Sequence, residues 1–149
     1  MKTIALKQMD KTLTEFKPLL SLQKPARGWL RAIRDALGMS GPQLAKRMGM
    51  SKQGVAELEK SELSGSVSLN TLQKAAEALD CAFVYAVVPR DSLQALVEQQ
   101  ARKLVEQEQA YTAHLMLLEN QLPQPEERKE AFDVAVAEIV RKMPKNLWD

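Results

Sequence analysis

Residues 38–62, GMSGPQLAKRMGMSKQGVAELEKSE, hold four glycines and a proline, yet their apolar residues recur at helical spacing. One continuous helix is excluded, because glycine and proline both weaken a helix interior. Two short helices joined by a one-glycine turn satisfy the pattern. Ser40 supplies an N-cap hydroxyl, Pro42 falls in the first turn and Gln43 stands three residues on as a capping-box partner. Leu44, Ala45 and Met48 then share an inward face. Gly49 ends this helix where a positive φ is easiest for glycine. Ser51 caps the next helix, with Val55 and Leu58 turned inward. Lys52, Gln53, Gly54, Ala56, Glu57 and Lys60 are left on its outer face. Ala45 is small where the two helices must approach closely. Gly54 has no folding role in this reading, and a glycine inside a helix costs about 1 kcal/mol relative to alanine.

The flanking segments extend the helical pattern. Trp29, Leu30, Ile33 and Leu37 mark one face of a preceding helix that stops at Gly38. Ser64-Gly65-Ser66 reads as a loop, and Ser68 caps a helix with Leu69, Leu72, Ala75, Ala76 and Leu79 on its buried side. The period then changes. CAFVYAVVP, residues 81–89, is rich in valine and aromatics, is of strand length and ends at a proline. A lone strand leaves its backbone groups unpaired. Pairing of Phe83, Val84, Tyr85, Ala86 and Val87 with the same strand of a second copy, around a two-fold axis, would resolve that. A buried helix is the alternative for this segment.

Before these elements, Ile4, Leu6, Met9, Leu13 and Phe16 form a rough helical stripe, followed by a linker containing Pro18 and Pro25. After them, residues 92–121 read as a long helix with Leu93, Val97, Leu104, Tyr111, Leu115 and Leu118 along one side. LPQPEE breaks it, and Pro125 suits a first helical position. Phe132, Ala135, Val136, Ile139 and Val140 mark a last helix. The expected organisation is an N-terminal helix and linker (1–25), a helix-turn-helix domain (26–80), a dimerisation strand (81–90) and a C-terminal helical region (91–149).

Charge is unevenly placed. Residues 1–90 carry 14 Lys and Arg against 8 Asp and Glu, whereas residues 91–149 carry 7 against 11. A basic front suits phosphates, and an acidic back suits a protein partner or the chain itself. There is one cysteine, Cys81, and one histidine, His114. Cys81 reads as a small buried apolar residue and His114 as an ordinary helix residue. No Cys-His or Ser-His-Asp set and no metal-ligand spacing is present, so neither an enzyme nor a metal or other cofactor is expected. The longest apolar run is too short to span a membrane. The charged N-terminus has no apolar core of a secretory signal. A cytoplasmic protein is the expectation.

A short turn with one glycine, between two helices of which the second is capped by serine, meets the demands of a helix-turn-helix. Residues 28–80 resemble the Xre-type, phage repressor and Cro-like, helix-turn-helix family. RDALGMSGPQLAKRMGMSKQGVAELEKSE and SLNTLQKAAEALD carry the resemblance, through Leu44-Ala45, Gly49, Ser51, Val55, Leu58-Glu59, Leu72 and Ala78-Leu79. The resemblance covers about a third of the chain. It implies a mainly α, lambda-repressor-like domain, here with one β-strand for dimerisation and a C-terminal helical extension. It also implies a structural ion pair between Arg34 and Glu59. RGWLRAIRDALGM, the domain, the CAFVYAVVP segment and the trailing region together resemble the group called mobile mystery protein A. That likeness implies a regulator or antitoxin encoded beside a Fic-domain protein. The Ser/Thr-x-x-x-Glu motif of antitoxins that inhibit Fic enzymes directly is missing from this chain. Neutralisation of a toxin would therefore fall to the C-terminal helices.

The implied function is sequence-specific binding of double-stranded DNA at a palindromic operator by a homodimeric repressor. In a helix-turn-helix the second helix enters the major groove and its first residues meet base edges. Gln53 suits adenine, and Lys52 or Lys60 suits guanine or phosphate. Glu57 can accept from cytosine or make a solvent or intramolecular contact. Gln43, Lys46 and Arg47 stand at positions that suit phosphate, with Arg27 and Arg31 as further candidates, and the capping Ser51 is counted with the DNA-binding residues. Gly54 suits close approach of the DNA, and Ala56 is counted with the DNA-binding residues of the same outer face.

Overall fold

The computed structural model describes residues 1–119 and 124–149. Among them are seven α-helices: α1 (Lys2–Thr14), α2 (Trp29–Ala36), α3 (Gly41–Met48), α4 (Lys52–Ser64), α5 (Leu69–Ala78), α6 (Leu93–Leu118) and α7 (Pro125–Lys142). A short 3-10 turn spans Lys17–Ser21. The predicted end of the long helix at residue 121, and Leu122-Pro123 of the predicted break, lie outside the described residues. The chain divides into two units, residues 21–87 and residues 1–20 with 88–149.

In the first of these units, local chemistry sets the helix ends. Ser40, Ser51 and Ser68 each accept a hydrogen bond from the backbone N–H three residues on, which satisfies one of the donors left open in a first turn. At Ser40 the capping box is complete, because Gln43 Oε1 accepts from the Ser40 N–H at 2.7 Å. Gly49 closes α3 at φ 65°, a left-handed conformation that a side chain would strain. Leu30, Leu44, Ala45, Val55, Leu58, Ala75 and Leu79 then pack as one core. Burying side chains of this size contributes roughly 1.5–3 kcal/mol each for the larger ones. The inward face of α2 is Leu30, half-buried Ile33 and Arg34, whereas Trp29 and Leu37 are exposed. Leu69 is exposed as well.

The second unit is built on α6 and α7, with α1 packed against α6. Val97, Ala101 and Val105 are buried at four-residue spacing, and Ala101 leaves room for close packing. Val136 of α7 and Leu147 of the tail complete that core, with Leu6, Phe132 and Ile139 packed around it. Tyr111, Leu115 and Leu118, which the sequence placed on the same side, are exposed. Asp10 of α1 ties the N-terminus of α6, accepting from the N–H groups of Leu93 and Gln94 at 2.6 and 3.0 Å. Lys2 Nζ donates to the Met143 carbonyl at 2.9 Å, at the end of α7.

The strand expected at 81–90 does not form, so the lambda-repressor-like fold with a dimerising β-strand is corrected. The protein is mainly α, with no strand among the described residues. Residues 81–89 run without regular structure. Their valines and aromatics favour an extended backbone, but a ladder also needs a partner strand, and there is none among the described residues. Phe83, Val84, Tyr85, Ala86 and Val87 are therefore unpaired, with Val84, Tyr85 and Val87 76, 69 and 86% exposed. The Phe83 and Tyr85 rings stack on one side at 5.9 Å, as period-two side chains do. Cys81, expected to be buried, is exposed in this segment.

Candidate nucleic-acid interface

Helix α4 sits in its unit on Val55, Leu58 and Glu59, all buried. That seating turns Lys52, Gln53, Ala56, Glu57 and Lys60 to solvent. These five residues form a polar outer face over the first three turns. Its N-terminus is fixed by Ser51, whose Oγ accepts from the Gly54 N–H at 3.0 Å. Ser51 is thus committed to the cap. Glu57 and Lys60 lie 3.9 Å apart and are both 76% exposed, so their ion pair holds neither in place.

Glu59 anchors the helix through Arg34 of α2. Arg34 Nε and Nη2 donate to the two carboxylate oxygens at 2.7 and 3.2 Å, a two-pronged pair with side chains 10 and 9% exposed. Arg34 Nη1 also donates to the Met39 carbonyl at 2.9 Å, which holds the turn leading into α3. The hydrogen bonding of Arg34 to Glu59 raises the Arg34 pKa further above its ordinary value, burial opposes this, and the Glu59 charge adds to the rise. The pair welds α2, the turn before α3 and α4 into one frame.

The other predicted contacts divide by what they already do. Gln43 spends its side-chain oxygen on the capping box. Its amide NH2 is not needed there. Arg47 Nη1 donates to the Ala78 carbonyl at 3.1 Å and so caps the end of α5. Lys46 is exposed beside it, with no ion pair among the described residues. Gly54 is half-buried, and a Cβ there would stand 3.3 Å from both Met50 Cε and Ser51 Oγ. The first obstacle to a side chain at 54 is therefore this protein's own capping turn.

Sequence reasoning missed Glu62. Helix α2 starts at Gly28, which has no side chain to cap it. Glu62, at the far end of α4, accepts from the N–H groups of Trp29 and Leu30 at 2.6 and 2.9 Å. Gly28 has φ 86°, and a Cβ there would collide with the Glu62 carboxylate at 2.5 Å. The signal was present in negative form, as a helix start without a Ser, Thr, Asp or Asn before it.

A fixed N-terminus and an exposed polar face on the second helix of a tight pair suit a helix-turn-helix. Residues 30–85 match the sequence model of the helix-turn-helix family. That stretch is a DNA-binding domain of the kind that transcriptional regulators carry. No curated protein and no solved structure matches the chain. Among the described residues, no group of three His, Cys, Asp or Glu is placed to hold a metal ion. No described helix is long and apolar enough to cross a membrane.

Proposed function

We propose that the protein is a sequence-specific repressor that binds double-stranded DNA as a homodimer at a two-fold operator. The observation that supports it is the outer face of α4, where Lys52, Gln53, Ala56, Glu57 and Lys60 are exposed on a helix locked by Arg34 and Glu59. Lys52 and Gln53 lead, where a helix entering the major groove meets base edges. Gln53 pairs with adenine, Lys52 with guanine, and Glu57 with cytosine. Ala56 leaves room for a thymine methyl. Gln43 and Lys46 reach phosphate. Exposed Val84, Tyr85 and Val87 support self-association by side-chain packing, without a strand. Selection of bound fragments from the DNA upstream of the protein's own reading frame tests this. The expected outcome is a palindrome with half-sites one helical turn, about 34 Å, apart. Binding to no fragment at low salt would overturn it.

A second reading has the C-terminal region hold a protein partner, as an antitoxin would. It is supported by Tyr111, Leu115 and Leu118, exposed at i, i+4 and i+7 on α6. The likeness to the mobile mystery protein A group makes a Fic-domain protein the partner to try. Co-purification with the product of a neighbouring reading frame, lost in Leu118→Glu but with DNA binding kept, is the expected result. No complex with the unaltered protein would remove this reading.

A further inference from the structure

An open groove of about 310 Å³ lies between α2 and α4 and shares Ala56 with the face assigned above to base reading. Its lining is Arg27, Arg31, Ala56, Glu59, Lys60 and Leu63. Three cations thus face one acid, and that acid is already held by both prongs of Arg34. Two further acids reach the cations from outside the lining. Asp35 lies 3.6 Å from Arg31, and Glu57 lies 3.9 Å from Lys60. Both contacts are long and solvent-exposed, so they restrain the cations little. Arg27 has no ion-pair partner among the described residues. The backbone N–H groups at the start of α2 do not serve an anion, because Glu62 takes them.

We infer that this groove seats a phosphate of the DNA backbone, with Arg27 and Arg31 of the α2 end and Lys60 of α4 as its ligands. The inference rests on the DNA-binding reading and extends it to α2, a helix outside the helix-turn-helix itself. Ala56 and Lys60 belong both to the groove and to the outer face of α4, so the two surfaces are continuous. A duplex laid along that face brings its backbone to the groove. Arginine suits the task, since its planar fork meets two phosphate oxygens at once. Ala56 and exposed Leu63 provide carbon surface for the adjoining deoxyribose.

The test is the salt dependence of binding by the full chain, measured on the selected operator and on an unrelated duplex. Each phosphate contact adds about 0.9 to the slope of log affinity against log salt. The Arg27→Gln, Arg31→Gln double variant should lower the slope by about 0.9, the contribution of one phosphate, and each single variant by part of that. The affinity loss should be equal on both duplexes. Arg31→Lys keeps the charge and should keep the slope, which separates lost charge from lost fold. Unchanged slopes in both Gln variants would overturn the inference while leaving the DNA-binding reading intact. Loss confined to the operator would also overturn it, because the arginines would then be reading bases. An unaltered protein that binds neither duplex would overturn both readings.

Discussion

Glu59→Gln is the sharpest probe of how the recognition helix is held. The substitution keeps size and shape but removes the charge opposite Arg34. Both side chains are about nine-tenths buried, so the guanidinium cannot recover its hydration by turning outward. Breaking a buried pair by removing one partner costs about 3–5 kcal/mol. In a unit of this size each kcal/mol moves the melting temperature by about 4–8 °C. The expected fall is therefore at least about 12 °C, read by circular dichroism. Hydrogen exchange at α2 and α4 amides assigns it to their unit. Arg34→Met should cost somewhat more, because the Met39 carbonyl also loses its donor. Combining Arg34→Met with Glu59→Leu removes both charges and leaves only that carbonyl bereft, a loss of about 1–3 kcal/mol. The double variant should thus be more stable than either single one. If Glu59→Gln costs under about 1 kcal/mol, or if the separate losses of Arg34→Met and Glu59→Leu simply add in the double variant, the frame is not held by this pair.

Glu62→Ala should destabilise by about 1–2 kcal/mol through loss of the α2 cap, with faster exchange at the Trp29 and Leu30 amides. Unchanged exchange there would refute the capping role. Gly54→Ala should change stability by no more than about +1 kcal/mol, the helix gain being offset as Met50 yields to the new methyl. Operator affinity should stay within about threefold, a change worth under 1 kcal/mol. A tenfold loss at unchanged melting temperature would instead place DNA against Gly54. On α7, hydrogen bonds from Arg141 and Lys142, each 2.8 Å from Glu138 Oε1, hold the Glu138 carboxyl down to about 2. Its folded pKa lies below the ordinary 4.5, so its contribution is fully present above that value and is lost as pH falls toward 2. Side-chain carboxyl NMR in acid should give a midpoint near 2, rising in Arg141→Gln. A midpoint near 4.5 in the unaltered protein would contradict the geometry.

What was legible in the sequence was what is decided within four residues. Ser40 with Gln43, Ser51, Ser68 and Gly49 mark helix ends because a cap is a contact between near neighbours. Leu44, Val55 and Leu58 mark the inward faces because helical spacing is equally local. Contacts far apart in the chain were not derivable in this way. The Arg34–Glu59 pair spans 25 residues and entered only through family resemblance. The cap from Glu62 to Trp29 spans 33 and was missed. Residue type also misled at α2, where Trp29 and Leu37 were placed on the inward face but are exposed. The absent strand belongs to the same class of error, since local propensity favours extension but a ladder also needs a partner strand, and there is none among the described residues. On α6 the outward drift of Tyr111, Leu115 and Leu118 follows from a core that needs only Val97, Ala101 and Val105.

The pattern bears on the interface itself. Its outer face was readable because exposure of Lys52, Gln53 and Lys60 follows from burial of Val55 and Leu58 on the same helix. Its rigidity was not, because that depends on α2 through Arg34 and Glu62. The C-terminal half of α4 is thereby tied to one short helix at two points, by Glu59 to Arg34 and by Glu62 to the first amides of α2. A recognition helix fixed at two points along its length can present Lys52 and Gln53 in one orientation, and ordering entropy lost in folding is not lost again on binding. Loosening either tie should therefore lower operator affinity even though neither Glu59 nor Glu62 is among the residues proposed to bind DNA.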